Sequence, residues 1–81
     1  MIIVWDEPKR LLNLEKHRID FADIGEAFFL TARIGRAKKG RYLAVGELDG
    51  IIVVIFASLG SEGISIVSAR PTNRIERRLL Q

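Results

Sequence analysis

The chain lacks the residues from which proteins most often build covalent cross-links and zinc centres. Its 81 residues contain no cysteine and a single histidine. Disulfides and thiolate metal ligands are therefore excluded, and one imidazole leaves too few ligands for a tetrahedral zinc site. We expect no metal and no cofactor. A chain without cysteine also fits a reducing compartment, and we expect the protein to be cytoplasmic.

Long hydrophobic runs are absent as well. The longest, Ile51 to Ala57, has only about a third of the roughly 20 residues that a membrane span needs. The apolar N-terminus MIIVW has no basic residues before it and no cleavage-site pattern, so it predicts a strand rather than a signal peptide. The length predicts one domain over residues 1–81, with no membrane partner.

Positive charge is concentrated in two short segments. The formal net charge is only +3, but the basic residues cluster at Arg33, Arg36, Lys38, Lys39 and Arg41, and again at Arg70, Arg74, Arg77 and Arg78. Two such clusters on a small domain favour a polyanionic partner, either nucleic acid or an acidic protein surface. Lysines and arginines that only confer solubility give the same pattern, so both interpretations stay open.

The first half of the chain predicts a strand followed by two helices. Residues 2–5 are β-branched and aromatic, as in a strand. Asp6 is a predicted N-cap, and the helix after it is expected to end at His17-Arg18 with Leu11 and Leu14 facing the core. Asp20 predicts the cap of a second helix. The segment 30–40 has no sustained period and predicts a basic loop.

The second half predicts a meander of three strands and a final helix. Strands are expected over 41–48, 51–57 and 64–70, with Asp49-Gly50 forming the first hairpin turn and the apolar middle strand covered on both faces. Strict alternation would place Ser68 on the face of Ile64 and Ile66. Asn73 and Glu76 form a predicted capping box for a helix through Leu80. The order β-α-α-β-β-β-α predicts an α+β fold with a four-stranded, mainly antiparallel sheet and helices on one face.

A row of polar residues follows the first predicted helix. Lys9, Asn13, Lys16 and His17 are spaced so that they project into one sector of the helix surface. The helix therefore presents two amines, an amide and an imidazole side by side. An ordinary amphipathic surface helix shows the same arrangement, so the row alone does not establish a function.

These residues resemble the BrnT family, toxins of type II toxin–antitoxin systems with a RelE-like fold. The N-terminal match follows the pattern WDxxKxxxNxxKHxIxF and comprises Trp5-Asp6, Lys9, Asn13, Lys16-His17, Ile19 and Phe21. The C-terminal match follows the pattern IISAR…RxERR and comprises Ile66 to Arg70, Arg74, Glu76, Arg77 and Arg78. Both half-motifs occur at the family's separation, so the resemblance extends over essentially the whole chain.

The resemblance implies a metal-independent endoribonuclease that arrests growth by inhibiting translation. It also implies neutralisation by a BrnA-type antitoxin with a ribbon-helix-helix domain, through which DNA would be contacted only indirectly. The alternative is a degenerate toxin-like domain that only binds antitoxin or nucleic acid. That alternative is suggested by four departures from the family pattern, at Phe56, Gly60, Ser65 and Leu80. At these positions relatives often carry tyrosine or arginine.

Metal-free RNA cleavage needs a group that accepts the 2′-hydroxyl proton, a cation for the phosphorane and an acid for the leaving oxygen. The candidate catalytic residues are Lys9, His17, Arg41, Arg70 and Glu76, and the candidate RNA-binding residues are Lys16, Lys38, Lys39, Arg74 and Arg77. His17 is the side chain best suited to proton transfer near neutral pH. Glu76 is a possible base, although its place in the capping box favours a structural role.

Overall fold

The computed structural model describes residues 1–78, and the predicted end of the last helix at Leu80 lies outside them. The strands are β1 (Ile2–Trp5), β2 (Arg33–Arg36), β3 (Tyr42–Glu47), β4 (Ile51–Leu59) and β5 (Gly63–Pro71). The α-helices are α1 (Glu7–His17), α2 (Glu26–Thr31) and α3 (Arg74–Arg77), and short 3₁₀ turns occupy Phe21–Asp23 and Lys38–Gly40. The mixed α+β class is confirmed.

The sheet has five strands in the order β1-β5-β4-β3-β2, not the predicted four. β1 runs parallel to β5, and the other pairs are antiparallel. The strand that the sequence did not predict is β2, which pairs with β3 over Arg33–Arg36 inside the predicted basic loop. Charged and glycine-containing sequences are common at sheet edges because they discourage edge-to-edge association. Such a sequence lacks the apolar pattern by which a strand is predicted.

The predicted start, stop and turn signals place most of the other elements correctly. The Asp6 carboxylate accepts a hydrogen bond from the Lys9 amide at 3.3 Å, which confirms the cap of α1. Asp49 and Gly50 both have positive φ, +50° and +114°, as the predicted hairpin turn requires. Asp20 caps the 3₁₀ turn rather than a helix, and α2 begins only at Glu26, so the predicted second helix is wrong at its start.

The main core lies between one face of the sheet and the segment from residue 19 to 32. Phe21, Ile24 and Phe28 are buried there against sheet residues such as Val54 and Ile66. Gly46 on β3 allows this close packing, because a Cβ at that position would lie 2.9 Å from Cε1 of Phe28. The opposite face of the sheet carries apolar side chains, such as Leu43 and Ile55, that are only partly buried.

A bulge in β5 changes which side chains share that opposite face. Ile55 of β4 pairs with Ser68, but the next residue, Phe56, pairs with Ile66, so Val67 is an extra residue in β5. The strict alternation predicted for this strand is therefore wrong beyond Ile66. The extra residue brings Ser68 and Arg70 to the face opposite the main core, while Ala69 lies in the core with Ile66.

The polar row of α1 faces β5, contrary to the predicted orientation of this helix. Leu11 is 53 % exposed, whereas Asn13 is 8 % exposed and is the one buried polar side chain among residues 1–78. Asn13 Oδ1 accepts a hydrogen bond from the Ala69 amide at 3.0 Å, and its Nδ2 donates to the Ile19 carbonyl at 3.0 Å. β1 pairs with β5 only as far as Ile66, so Asn13 satisfies a strand amide that β1 does not reach.

Replacement of Asn13 by alanine is expected to lower the free energy of unfolding by about 2 kcal/mol or more, because the Ala69 amide and the Ile19 carbonyl lose their partner. Urea unfolding measures the change. Lys16→Ala, an exposed truncation on the same helix, is expected to stay within about 0.5 kcal/mol of the parent. Equal effects of the two substitutions would contradict the proposed role of the Asn13 hydrogen bonds.

Candidate functional site

The face of the sheet opposite the main core carries two parallel rows of side chains. Strand register aligns one row as Gly35, Leu43, Ile55 and Ser68, and the next as Arg33, Val45, Val53 and Arg70. Val45 and Val53 are fully buried, whereas Leu43 and Ile55 are only partly buried. The accessible apolar surface in the middle of this face is therefore formed by Leu43 and Ile55, with an arginine at each end of the neighbouring row.

A cavity of about 450 Å³, here called the open-face cavity, lies over Leu43 and Ile55. Its other lining residues include the cations Lys38, Lys39, Arg41 and Arg70. The 3₁₀ turn Lys38–Gly40 brings the first two of these cations to the cavity, helped by positive φ angles at Lys39 (+62°) and Gly40 (+72°). The cavity thus has an apolar floor and a strongly cationic rim.

Arg70 is held in the open-face cavity by a bidentate ion pair with Glu76. Its Nη1 donates to Oε1 of Glu76 at 2.9 Å and its Nη2 donates to Oε2 at 2.6 Å. The same carboxylate accepts the Asn73 amide at 3.0 Å, and the Glu76 amide donates to Asn73 Oδ1 at 2.8 Å, which confirms the capping box of α3. Both Glu76 oxygens are thus occupied in this conformation.

The hydrogen bonds from Arg70 hold the pKa of Glu76 below its ordinary value, although partial burial acts in the opposite direction. The same interaction raises the pKa of Arg70. Glu76 is therefore an ionised partner of Arg70, and this pairing makes its carboxylate a weaker base than a free one.

The predicted residues on α1 lie in a separate shallow cavity. Lys9, Lys16 and His17 line a space of about 280 Å³ together with Val67 and Ser68 of β5. None of these three basic side chains has an ion-pair partner within the described residues. The two cavities are not joined into one site, but both border the segment 67–70 of β5.

The remaining predicted cations lie on α3. Arg74 and Arg77 are exposed, and Arg77 Nε donates to Thr72 Oγ1 at 3.0 Å. The predicted site residues are thus divided among the open-face cavity, the α1 cavity and α3. The apolar floor residues Leu43 and Ile55 were not predicted as site residues, because the apolar run of β4 indicated a strand covered on both faces.

The departures from the family pattern occupy different parts of the fold. Phe56 is 8 % exposed on the core face, with its ring centroid 5.4 Å from Phe29 and 5.7 Å from Tyr42. Gly60 lies in the β4–β5 turn and lines a larger cavity of about 550 Å³ that carries Glu62 and no lysine or arginine. Ser65 pairs with Val4 and Ala57, towards the same end of the sheet. Leu80 lies outside the described residues.

Among residues 1–78, no three histidine, aspartate or glutamate side chains are grouped so that they would hold a metal ion. Over the same range, no helix is both long enough and apolar enough to cross a membrane.

Replacement of Glu76 by glutamine is expected to remove a pH-dependent part of the stability. A carboxylate whose pKa is depressed in the folded state stabilises the protein at pH values above its ordinary pKa, here 4.5. That stabilisation is lost as the pH falls through the depressed pKa of the folded state. The difference in stability between the parent and Glu76→Gln should therefore be largest near neutral pH and should shrink on acidification.

Thermal unfolding at pH 7 and at successively lower pH measures that difference. Glu62→Gln is the matched control, because Glu62 is exposed and has no ion pair within the described residues. A stability difference for Glu76→Gln that stays constant with pH would contradict the ion-pair account.

A family model described as the ribonuclease toxin BrnT of a type II toxin–antitoxin system matches residues 5–76. The fold is similar to the crystal structure, at 1.1 Å resolution, of the Brucella abortus ribonuclease toxin BrnT, with a TM-score of 0.84 and 46 % sequence identity. That alignment covers 91 % of this chain and 99 % of the Brucella chain. No curated protein matches the chain significantly in sequence. The chain belongs to the BrnT family of ribonuclease toxins of type II toxin–antitoxin systems.

Proposed function

We propose that this chain is a single-domain, metal-independent endoribonuclease with a RelE-like fold, which inhibits translation by cleaving RNA bound at the open-face cavity. The observation that carries the proposal is the convergence of Lys38, Lys39, Arg41 and Arg70 around one concave surface. Four cations at one cavity match the phosphates of a polynucleotide and the charge that develops on phosphorus during cleavage.

The cations of the open-face cavity act in this proposal as electrostatic groups. Arg41 and Arg70 bind the phosphate at the cleavage point, where the fork of an arginine suits two phosphate oxygens. Lys38 and Lys39 bind flanking phosphates, and the exposed Arg74 and Arg77 of α3 extend the basic surface. Glu76 holds Arg70 in place through the bidentate pair, and becomes a base only if an incoming phosphate displaces it from Arg70.

The α1 cavity supplies the groups that transfer protons or bind further phosphates. Lys9, Lys16 and His17 are free of ion pairs within residues 1–78 and lie against the segment of β5 that continues to Arg70. Cleavage by the internal 2′-hydroxyl needs an acceptor and a donor of protons, for which His17 is the best suited side chain. We propose that RNA lying along residues 67–70 of β5 spans both cavities, so that His17 and Lys9 take these roles at the phosphate held by Arg70 and Lys16 binds a flanking phosphate.

As a member of a type II toxin family, the chain acts with an antitoxin. We propose that this partner is a BrnA-type protein with a ribbon-helix-helix domain, that DNA is contacted only through it, and that both act in the cytoplasm. Support comes from exposed apolar side chains that a partner would cover, among them Leu11, Leu12 and Leu30, which are 53 %, 66 % and 75 % exposed.

A second candidate function is antitoxin or nucleic-acid binding without catalysis. The observation that favours it is the Arg70–Glu76 pair, which neutralises the best placed arginine of the cavity. In that case the protein binds RNA or antitoxin through its other cations but does not cleave.

Cleavage of a mixed RNA by the purified protein is expected to persist in EDTA. Arg70→Ala should reduce the cleavage rate by about tenfold to a hundredfold, since it removes a cation from the transition state. Asp6→Ala, which removes only the cap of α1, should leave the rate nearly unchanged once the folded fraction is corrected for. The opposite ranking would contradict the assignment of the site, and tight RNA binding without any cleavage would establish the second candidate function.

Binding of the cognate antitoxin is expected to raise the melting temperature, because a partner that binds only the folded state stabilises it by mass action. Thermal unfolding of the free toxin and of the complex measures the effect. Equal melting temperatures at saturating antitoxin would show that the partner does not bind this folded state.

A further inference from the structure

The open-face cavity combines two surfaces that bind different parts of a nucleotide. Its floor consists of Leu43 and Ile55, which are directly paired across β3 and β4. The longer side chains of Lys38, Lys39, Arg41 and Arg70 line the same cavity around this floor. Together they leave a depression with an apolar base.

The rim of the cavity is cationic where the floor is apolar. Lys38, Lys39 and Arg41 lie on the turn and strand start that border Leu43, and none has an ion-pair partner within the described residues. A site that bound only phosphates would gain nothing from an aliphatic floor, because that surface offers no charge or hydrogen bond to an anion. The floor therefore points to a group with an apolar surface that is attached to the anion.

We propose that the open-face cavity binds one unstacked nucleobase of single-stranded RNA over Leu43 and Ile55, while Lys38, Lys39 and Arg41 hold the phosphates on either side of it. The inference rests on the proposed function and specifies its substrate class. The volume of about 450 Å³ falls within the range of small-molecule sites, roughly 300–1,000 Å³.

Single-stranded RNA fits this cavity, and duplex RNA does not. The bases of an A-form helix are stacked and their faces are covered, so only an unpaired nucleotide can place a base on the aliphatic floor. Because the Leu43 and Ile55 side chains offer no hydrogen bonds, they hold any base by its face. The cavity is therefore expected to distinguish unpaired from paired RNA more strongly than one base from another.

The experiment measures binding rather than cleavage, so that its failure is separate from a failure of the proposed nuclease activity. The probe is a 2′-O-methyl oligonucleotide of roughly six nucleotides, within the usual range of single-strand site sizes. It has no free 2′-hydroxyl and is not cleaved. The same sugar–phosphate chain without bases and a duplex of the same RNA are the comparison ligands.

The parent protein is expected to bind the single strand about tenfold more tightly than the chain without bases, which corresponds to burial of part of one base face. Ile55→Thr should abolish most of that preference while the dependence of affinity on salt concentration stays the same, since the phosphate contacts are unchanged. Lys38→Ala should lower the salt dependence and leave the preference for bases.

Ile51→Thr is the matched control, because Ile51 lies on the same strand and the same face as Ile55 but does not line the cavity. It should leave both the preference for bases and the salt dependence unchanged. Melting temperatures of the two threonine variants verify that both are folded.

Three outcomes would overturn the inference. The first is equal affinity of the parent for the strands with and without bases, and the second is an equal loss in Ile51→Thr and Ile55→Thr. The third is a loss of antitoxin binding in Ile55→Thr with no change in RNA binding, which would assign the apolar floor to the protein partner. Preference for bases together with no RNA cleavage would support this inference and refute the nuclease activity.

Discussion

The hydrogen bonds of Asn13 are the constraint on which the position of α1 and its basic cavity depends. One amide side chain joins α1, the loop at Ile19 and the edge of β5 at Ala69, residues that are up to 56 positions apart in sequence. Because β1 ends before it reaches this part of β5, the amide of Ala69 would otherwise lie unpaired in a buried place. The bond fixes α1 against the strand that carries Arg70.

The rest of the site follows from the unequal faces of the sheet. Phe21, Ile24 and Phe28 pack on one face and form the main core, whereas the other face keeps partly exposed apolar side chains at Leu43 and Ile55. The bulge at Val67 then brings Arg70 to that open face, while Ala69 stays in the core. Arg70 is kept in position by Glu76, which also takes part in the capping box of α3, so the ion pair links α3 to the cavity.

Local signals in the sequence predicted a large part of the fold. The caps at Asp6 and Asn73 and the turn at Asp49-Gly50 were identified correctly, because each depends on a few adjacent residues. β2 was not predicted, because this edge strand is charged and mostly exposed and lacks the alternating apolar pattern of a half-buried strand. The orientation of α1 was also wrong, since a polar side chain that pairs with a strand amide is indistinguishable in sequence from one that faces water.

The site was predicted only in part, for a similar reason. Lys38, Lys39, Arg41 and Arg70 were identified by charge and by resemblance, and the structure brings these four together. Leu43 and Ile55 carry no chemical signal and have the sequence of ordinary core residues. Their exposure depends on which face of the sheet the rest of the chain covers, and this is a property of the tertiary structure.

NMR titration of the labelled protein with a short 2′-O-methyl oligonucleotide tests RNA binding at the open face of the sheet most directly. The largest shifts are expected at the amides and methyl groups of residues 38–43, Ile55 and Arg70. Shifts confined to β1 and the turn at residues 58–64, with residues 38–43 unchanged, would contradict it.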